Sequence, residues 1–230
     1  MPAEKVRVAI LDDHQSIIDG YIYRLNHTPG MEVVATATYG EELEPMLEKH
    51  PVDVLLLDLS VRTSEENSNP FPILYMIPKL LQKHPNLVVL VISMLAEPGL
   101  MRSIVEAGAS GYMLKDDSGA FRDLGNVVLS VAHGGVYFSK SVHDLYLQIG
   151  QGGNGSPLTP RQLELLSLCA AYPDMSTSDL AQLMSVSNST VRNLLSSAYL
   201  RLNVHSRTAA VEKAREMGLI TPRAPTLGSS

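Results

Sequence analysis

VAILDDHQS, residues 8–16, runs a buried-looking apolar segment straight into two adjacent carboxylates, Asp12 and Asp13. Neighbouring carboxylates repel, and desolvation at the end of a buried strand raises their pKa values unless something positive compensates. The pair therefore calls for a cation. Working outward, the same kind of apolar run recurs: VRVAILDD, MEVVATAT, VDVLLLD, LVVLVIS and SGYMLK read as five strands. Amphipathic segments near residues 14–27, 40–49, 72–83, 97–107 and 118–133 separate or follow them. Strands apolar on both faces and alternating with helices predict an α/β domain with a doubly wound, five-stranded parallel sheet, covered on both sides.

Ligands of such sheets bind beyond the carboxyl ends of the strands, near the point where strand order reverses. Asp12 and Asp13 end the first strand, Asp58 the third, Ser93 the fourth and Lys115 the fifth, so all five fall on one edge. An aspartate ending a strand is by itself ordinarily a turn or cap residue, and a lone lysine there is ordinarily solvated. Five such residues at one topological position make a site. Three carboxylates suit a hard divalent cation, and Mg2+ takes carboxylate, carbonyl and water oxygens. Asp58 then has one oxygen for the metal and one to act as nucleophile toward a phosphoryl donor. The cation and Lys115 would offset charge on the transferring group, and the Ser93 hydroxyl would hydrogen-bond a phosphoryl oxygen.

Composition narrows the alternatives. The 230 residues are 45% hydrophobic and 18% charged, which predicts a folded chain with room for one large core or two modest ones. No apolar run approaches the ~18 residues of a membrane span, and MPAEKVRVAI lacks a signal-peptide core, so neither membrane nor export is expected. Cys169 is the single cysteine and has no internal disulfide partner, in keeping with a reducing, cytoplasmic setting. It shares a helical face with Leu165 and Leu166 and is expected to pack there. His14 has no His or Cys companion at metal-ligand spacing and reads as a solvated loop residue. Charge is unevenly spread: residues 1–155 hold 11 Lys and Arg against 19 Asp and Glu, residues 156–230 hold 7 against 5. Net charges of −8 and +2 mark two units of different kinds, although +2 alone establishes no nucleic-acid binding.

The boundary lies in IGQGGNGSPLTP, residues 149–160, whose four glycines with Asn, Ser and Pro read as a flexible linker. Beyond it, Thr159, Pro160 and Gln162 form a helix start with a capping box, and that helix should reach about Ala171. A second helix is predicted from Ser176 or Thr177 to near Met184, then a tight turn at Ser185–Val186–Ser187, and a third helix from Asn188 to about Leu202. Two short helices around a tight turn suggest a helix-turn-helix. A fourth helix runs from Ser206 or Arg207 to Met217, with Gly218 as its stop. The predicted organisation is residues 1–135 as the α/β domain, 136–157 as a helical extension and Gly-rich linker, 158–222 as a small all-α helix-turn-helix domain, and 223–230 as a tail.

Through LDDH (11–14), LLLD (55–58), Ser93 in VISM and GYMLK (111–115), the first domain resembles the receiver domain of two-component response regulators, a flavodoxin-like fold. The resemblance implies phosphorylation of Asp58 by a sensor histidine kinase. It also implies Mg2+ held by Asp12, Asp13, Asp58 and the Ser60 carbonyl, and a switch comprising Ser93, Tyr112 and Lys115, in which Tyr112 reorients as the hydroxyl turns to the phosphate. Taken alone, Tyr112 is a half-buried strand aromatic. The segment after the phosphoacceptor, LSVRTSEENSNPFPIL, departs from the family's short loop with a Met-Pro pair and a Gly and is several residues longer. It borders the pocket and reads either as a control or partner surface or as an extended loop without a role.

LTPRQLELL, DLAQLMSVSNSTVRNLLSSAYLRLNV and SRTAAV resemble the LuxR-type DNA-binding domain of the NarL/FixJ class. The resemblance makes the helix from Asn188 the recognition helix, with Arg192, Asn193 and Ser196 toward bases and Ser189, Thr190, Ser197 and Arg201 nearer phosphates. Arg192 suits guanine and Asn193 adenine. Ser189, Leu194 and Ser185 replace the family's usual Lys, His and turn Gly, which predicts few phosphate contacts and makes dimerisation on paired half-sites more important for affinity. The leading expectation is thus a cytoplasmic, homodimeric, phosphorylation-switched transcription regulator. Two alternatives stay open: a regulator of the same architecture controlled by a protein or small ligand, and a Mg2+-dependent phosphohydrolase. The latter would ordinarily carry its nucleophile in a D-x-D pair after the first strand, not after the third. A helical interaction module without DNA binding is the remaining reading of the C-terminal domain.

Overall fold

The computed structural model describes residues 5–140 and 156–223. Most of the expected helical extension and all four glycines of the linker fall outside them, as does the tail beyond residue 223. The sheet contains β1 (Val6–Leu11), β2 (Met31–Ala37), β3 (Val54–Asp58), β4 (Val88–Ser93), β5 (Gly111–Leu114) and β6 (Tyr137–Phe138). All pairings are parallel, in the order β2-β1-β3-β4-β5-β6. The first five strands lie where the apolar runs put them.

The sixth is a correction to the expected count, and it occupies residues expected to begin a helical extension. Gly111 makes it possible, because a Cβ there would meet the Tyr137 carbonyl oxygen at 2.6 Å. Two residues carry no period from which a strand can be read.

Strand residues alternate between two apolar layers. Ala9, Leu11, Leu55, Leu57, Val89 and Val91 face one side, over α2 (Leu43–Lys49), α3 (Ile73–Lys83) and α4 (Pro98–Glu106). Val8, Ile10, Val54, Leu56, Leu90 and Ile92 face the other, over α1 (Gln15–Asn26), α5 (Ser118–Arg122) and α6 (Leu124–Ala132). The central strand β3 is therefore apolar on both faces up to Asp58, as a sheet covered twice requires, whereas the edge strand β2 carries Glu32 and Thr36 and is only half-buried along most of its length. The single helix expected over 118–133 is divided at Asp123, whose φ of −102° and ψ of 18° leave the helical region.

The C-terminal unit holds α7 (Pro160–Ala171), α8 (Thr177–Leu183), α9 (Asn188–Leu202) and α10 (Arg207–Glu216) around its own core of Leu165, Leu166, Leu180, Val191, Leu195 and Ala210. Thr159 and Gln162 make the predicted reciprocal cap of α7, and Ser176, Ser187 and Ser206 cap the next three helices through their hydroxyls. Cys169 is buried in this core, and burial pushes its thiol up to about 11, which suits packing and not reactivity.

Candidate functional site

Strand register builds the pocket. Leu11 pairs with Leu57, so the next residues, Asp12 and Asp58, emerge side by side at the carboxyl edge. Asp58 pairs with Ile92, and Ser93 pairs with Leu114, so Ser93 and Lys115 complete the row. The strand order reverses at β1, with β2 laid on one side of it and β3 on the other, and this opens the crevice between β1 and β3.

Lys115 Nζ bridges Asp12 Oδ2 at 2.7 Å and Asp58 Oδ2 at 2.9 Å, with all three side chains at least nine-tenths buried. Burial pushes the Asp58 carboxyl above its ordinary range and Asp12 adds to this, while Lys115 pulls the other way. Burial disfavours the Lys115 ammonium, but Asp58 and Asp12 outweigh it and hold its pKa above the ordinary value. One ammonium thus serves two carboxylates, and the Asp13 carboxylate lies beside them. The Ser60 N–H donates to Asp58 Oδ1 at 3.2 Å.

Donor atoms of Asp12, Asp13, His14 and Asp58 lie within 4.8 Å of one another. Asp13 Oδ1 is buried and accepts no hydrogen bond, since the His14 ring nitrogen 2.7 Å away is out of hydrogen-bonding alignment. A buried, unsatisfied carboxylate oxygen beside two more carboxylates is a donor set suited to a hard divalent cation. Arg62, from the long segment after Asp58, stands at the rim with Nε 3.8 Å from Asp13 Oδ2 and its guanidinium over the Tyr39 ring.

Ser93 Oγ accepts from the Leu95 N–H at 3.1 Å, and the Tyr112 hydroxyl donates to the Leu95 carbonyl at 2.5 Å. Tyr112 is fully buried, not half-buried, and burial raises its hydroxyl pKa. Its ring points inward and fastens the chain just past Ser93. Sequence reasoning placed Asp12, Asp13, Asp58, Ser60, Ser93, Tyr112 and Lys115 at this edge and the structure brings them together. It missed Arg62 and the side chain of His14, for which adjacency to the pocket in sequence was the sole signal.

In the C-terminal unit α9 exposes Ser189, Thr190, Arg192, Asn193, Ser196 and Arg201. Ser197 is half-buried and accepts from Gln162 Nε2 at 2.9 Å, so its hydroxyl serves α7. Arg201 Nη1 donates to the Pro157 carbonyl at 3.0 Å. Asn188 holds α8, receiving from Thr177 and donating to Ser178. This fixes the angle between the two helices of the helix-turn-helix.

The family model for the response regulator receiver domain matches residues 8–122, half of the chain, and that for bacterial regulatory proteins of the luxR family matches residues 156–214. Among curated proteins, the transcriptional regulatory protein DesR of Bacillus subtilis is 28% identical over 93% of this chain and 98% of its own length. The oxygen regulatory protein NreC of Staphylococcus carnosus is also 28% identical, over 94% of this chain and 99% of its own. Among solved structures, RcsB of Salmonella enterica bound to the rprA promoter with phosphomimetic BeF3− has a TM-score of 0.62 at 23% identity, covering 91% of this chain and 98% of that one, a likeness of fold. Receiver and LuxR-type domain thus follow one another in a single chain that aligns with these relatives over almost their full length, and the protein belongs to the response regulators of the NarL/FixJ class.

Proposed function

We propose that this chain is a cytoplasmic transcription regulator whose DNA binding is set by phosphorylation of Asp58. The observation that carries it is the buried Asp12–Lys115–Asp58 bridge beside the unsatisfied Asp13 oxygen, one edge on which nucleophile, cation and metal donors converge. An oxygen of Asp58 attacks the phosphorus of a phosphohistidine on a sensor kinase. The new O–P bond forms as the P–N bond breaks, and the imidazole leaves with the electron pair. Lys115 stabilises charge on the phosphoryl oxygens, and Ser93, turning from the Leu95 N–H, donates to one of them. Asp12, Asp13, Asp58 and the Ser60 carbonyl would hold Mg2+, which supplies further charge neutralisation there. Turning Ser93 loosens the segment that the Tyr112 hydroxyl fastens, and so gives the phosphoryl group differential contacts in two states.

The DNA reading rests on the exposed face of α9. Arg192 and Asn193 would read guanine and adenine edges, Ser196 would sit between them, and Ser189, Thr190 and Arg201 would meet phosphates. Ser197 would contribute through α7 packing, and a homodimer would place two such helices in paired half-sites. RcsB has been solved as dimers on DNA.

The test is intact mass after incubation with Mg2+ and acetyl phosphate, for the wild type and Asp58→Asn. A single phosphoryl adduct on the wild type alone is expected, with tighter DNA binding by the adduct. An adduct on both proteins would remove Asp58 as acceptor. None on either would favour control by a protein or small ligand.

A further inference from the structure

The long segment after Asp58 is a built structure, not a loose loop. Val61 and Thr63 are fully buried and Phe71 nearly so. Arg62 and Pro70 form an antiparallel bridge, the Phe71 N–H donates to the Val61 carbonyl at 2.9 Å, and the Asn69 carbonyl accepts from both the Thr63 N–H and its hydroxyl. Gly40 and Glu41 donate to the Arg62 and Thr63 carbonyls, tying one flank to the receiver. The tip is closed by Ser64 and Asn67, whose Oδ1 accepts from the Asn69 N–H at 3.1 Å.

The two ends of this hairpin touch different things. At its base are the Ser60 N–H on Asp58 and Arg62 at Asp13. At its tip, Asn67 Nδ2 donates to the Ala171 carbonyl at 3.0 Å, a C-terminal carbonyl of α7 that has no partner within the helix. The next residue, Tyr172, reaches back to Glu41. The first helix of the DNA-binding unit is thus capped by a hairpin rooted in the phosphoacceptor pocket.

We propose that residues 60–71 are the receiver's docking surface for the DNA-binding unit, a strut that carries occupancy of the acidic pocket to α7 through Asn67. The proposal rests on Asp58 being the phosphoacceptor. A second contact runs from α4, where the Ser103 hydroxyl donates to the Gly218 carbonyl and Gly99 lies against the Met217 carbonyl. The strut is distinct from it because its path from Asp58 does not pass through Ser93 or Tyr112. A group arriving at Asp58 and Asp13 competes with the Ser60 N–H and the Arg62 guanidinium for these carboxylates. A hairpin with a buried base passes the resulting shift to its tip, since packed segments move as units.

Asn67→Asp isolates the contact, because it keeps the Oδ1 acceptor that closes the turn and removes the Nδ2 donor. Hydrogen exchange is followed on the full-length wild type, Asn67→Asp and Asn67→Ala, without and with Mg2+ and beryllofluoride. In the resting proteins, amides of residues 168–175 are expected to exchange about fivefold faster in both variants, the size of one lost hydrogen bond. With beryllofluoride, residues 92–97 should respond in all three proteins, and residues 168–175 in the wild type alone. An equal response at 168–175 in wild type and variants would overturn the strut while leaving Asp58 as acceptor. Silence at 92–97 in every protein would overturn both readings.

Discussion

Asp58 is held in a buried environment that disfavours its charged form and so costs stability. Burial and Asp12 raise its pKa above the ordinary 3.8, so the folded state binds this proton more tightly than the unfolded chain does. The sign follows from linkage: stability from this group is full below the unfolded value and is lost as pH rises through the raised folded value. Asp58→Asn removes that loss. In Mg2+-free buffer the variant should melt above the wild type near pH 7, and the gap should close as pH falls below about 4, the ordinary carboxylate range. Thermal melts of the two proteins across pH check this, and a gap that widens on acidification would reverse the assignment. Lys115 gives the converse case. Removing one partner of a buried ion pair costs about 3–5 kcal/mol because the others remain charged and unpaired. Lys115→Ala should lose about 3 kcal/mol in denaturant unfolding, with part restored by millimolar Mg2+. Equal stability with and without Mg2+ would mean that the cation does not bind among these carboxylates.

At the scale of elements, the strands and helices were legible because each carries its own period and its own ends. VDVLLLD announces a doubly covered strand, and the Thr159–Gln162 box announces the start of α7, without help from the rest of the chain. The pocket was legible for the same reason, since parallel register aligns strand ends. What could not be read depends on distant partners. The 60–71 hairpin is fixed by Gly40 and Glu41, β6 by the missing Cβ of Gly111, and the cap on Ala171 by a residue 104 positions away. The turn between α8 and α9 illustrates a local departure that sequence did expose. Ser185, standing where the family carries glycine, has a φ of 54°. A side chain there costs roughly 1 kcal/mol relative to glycine, because Cβ crowds the carbonyl. Ser185→Gly should therefore stabilise the C-terminal unit by about that amount in urea unfolding, with DNA affinity unchanged. A loss of stability would show that the seryl hydroxyl makes a compensating contact in the turn.

Across the whole molecule, the two units meet along the 60–71 hairpin, α3 and α4, and among the described residues α9 makes no hydrogen bond to the receiver. Tyr75 donates to Glu164 of α7, Asn67 to Ala171, and Ser103 to Gly218, whereas Ser189, Thr190, Arg192, Asn193 and Ser196 stay exposed. Among the described residues, the receiver does not cover the exposed face of α9, so the unphosphorylated protein should already bind operator DNA. Phosphorylation then shifts an existing equilibrium, by no more than the differential contacts it makes. The strength of that binding follows from charge. The exposed face of α9 carries two cations, Arg192 and Arg201, and the receiver-side residues 1–155 carry a net −8 that repels phosphates. Each phosphate neutralised adds about −0.9 to the slope of log K against log salt, so a dimer relying on this face, with Arg201 the phosphate-facing cation of each protomer, should show a slope of about −2. Arg201→Ala should make it shallower by about 1 per protomer at every sequence. Arg192→Ala should also cost about 1–3 kcal/mol of discrimination at one base pair. Fluorescence anisotropy on one operator and one scrambled duplex, from 50 to 200 mM salt, separates these effects. A slope near −10 would require phosphate contacts from outside α9, and loss of binding without change in discrimination for Arg192→Ala would move that residue from the bases to the backbone.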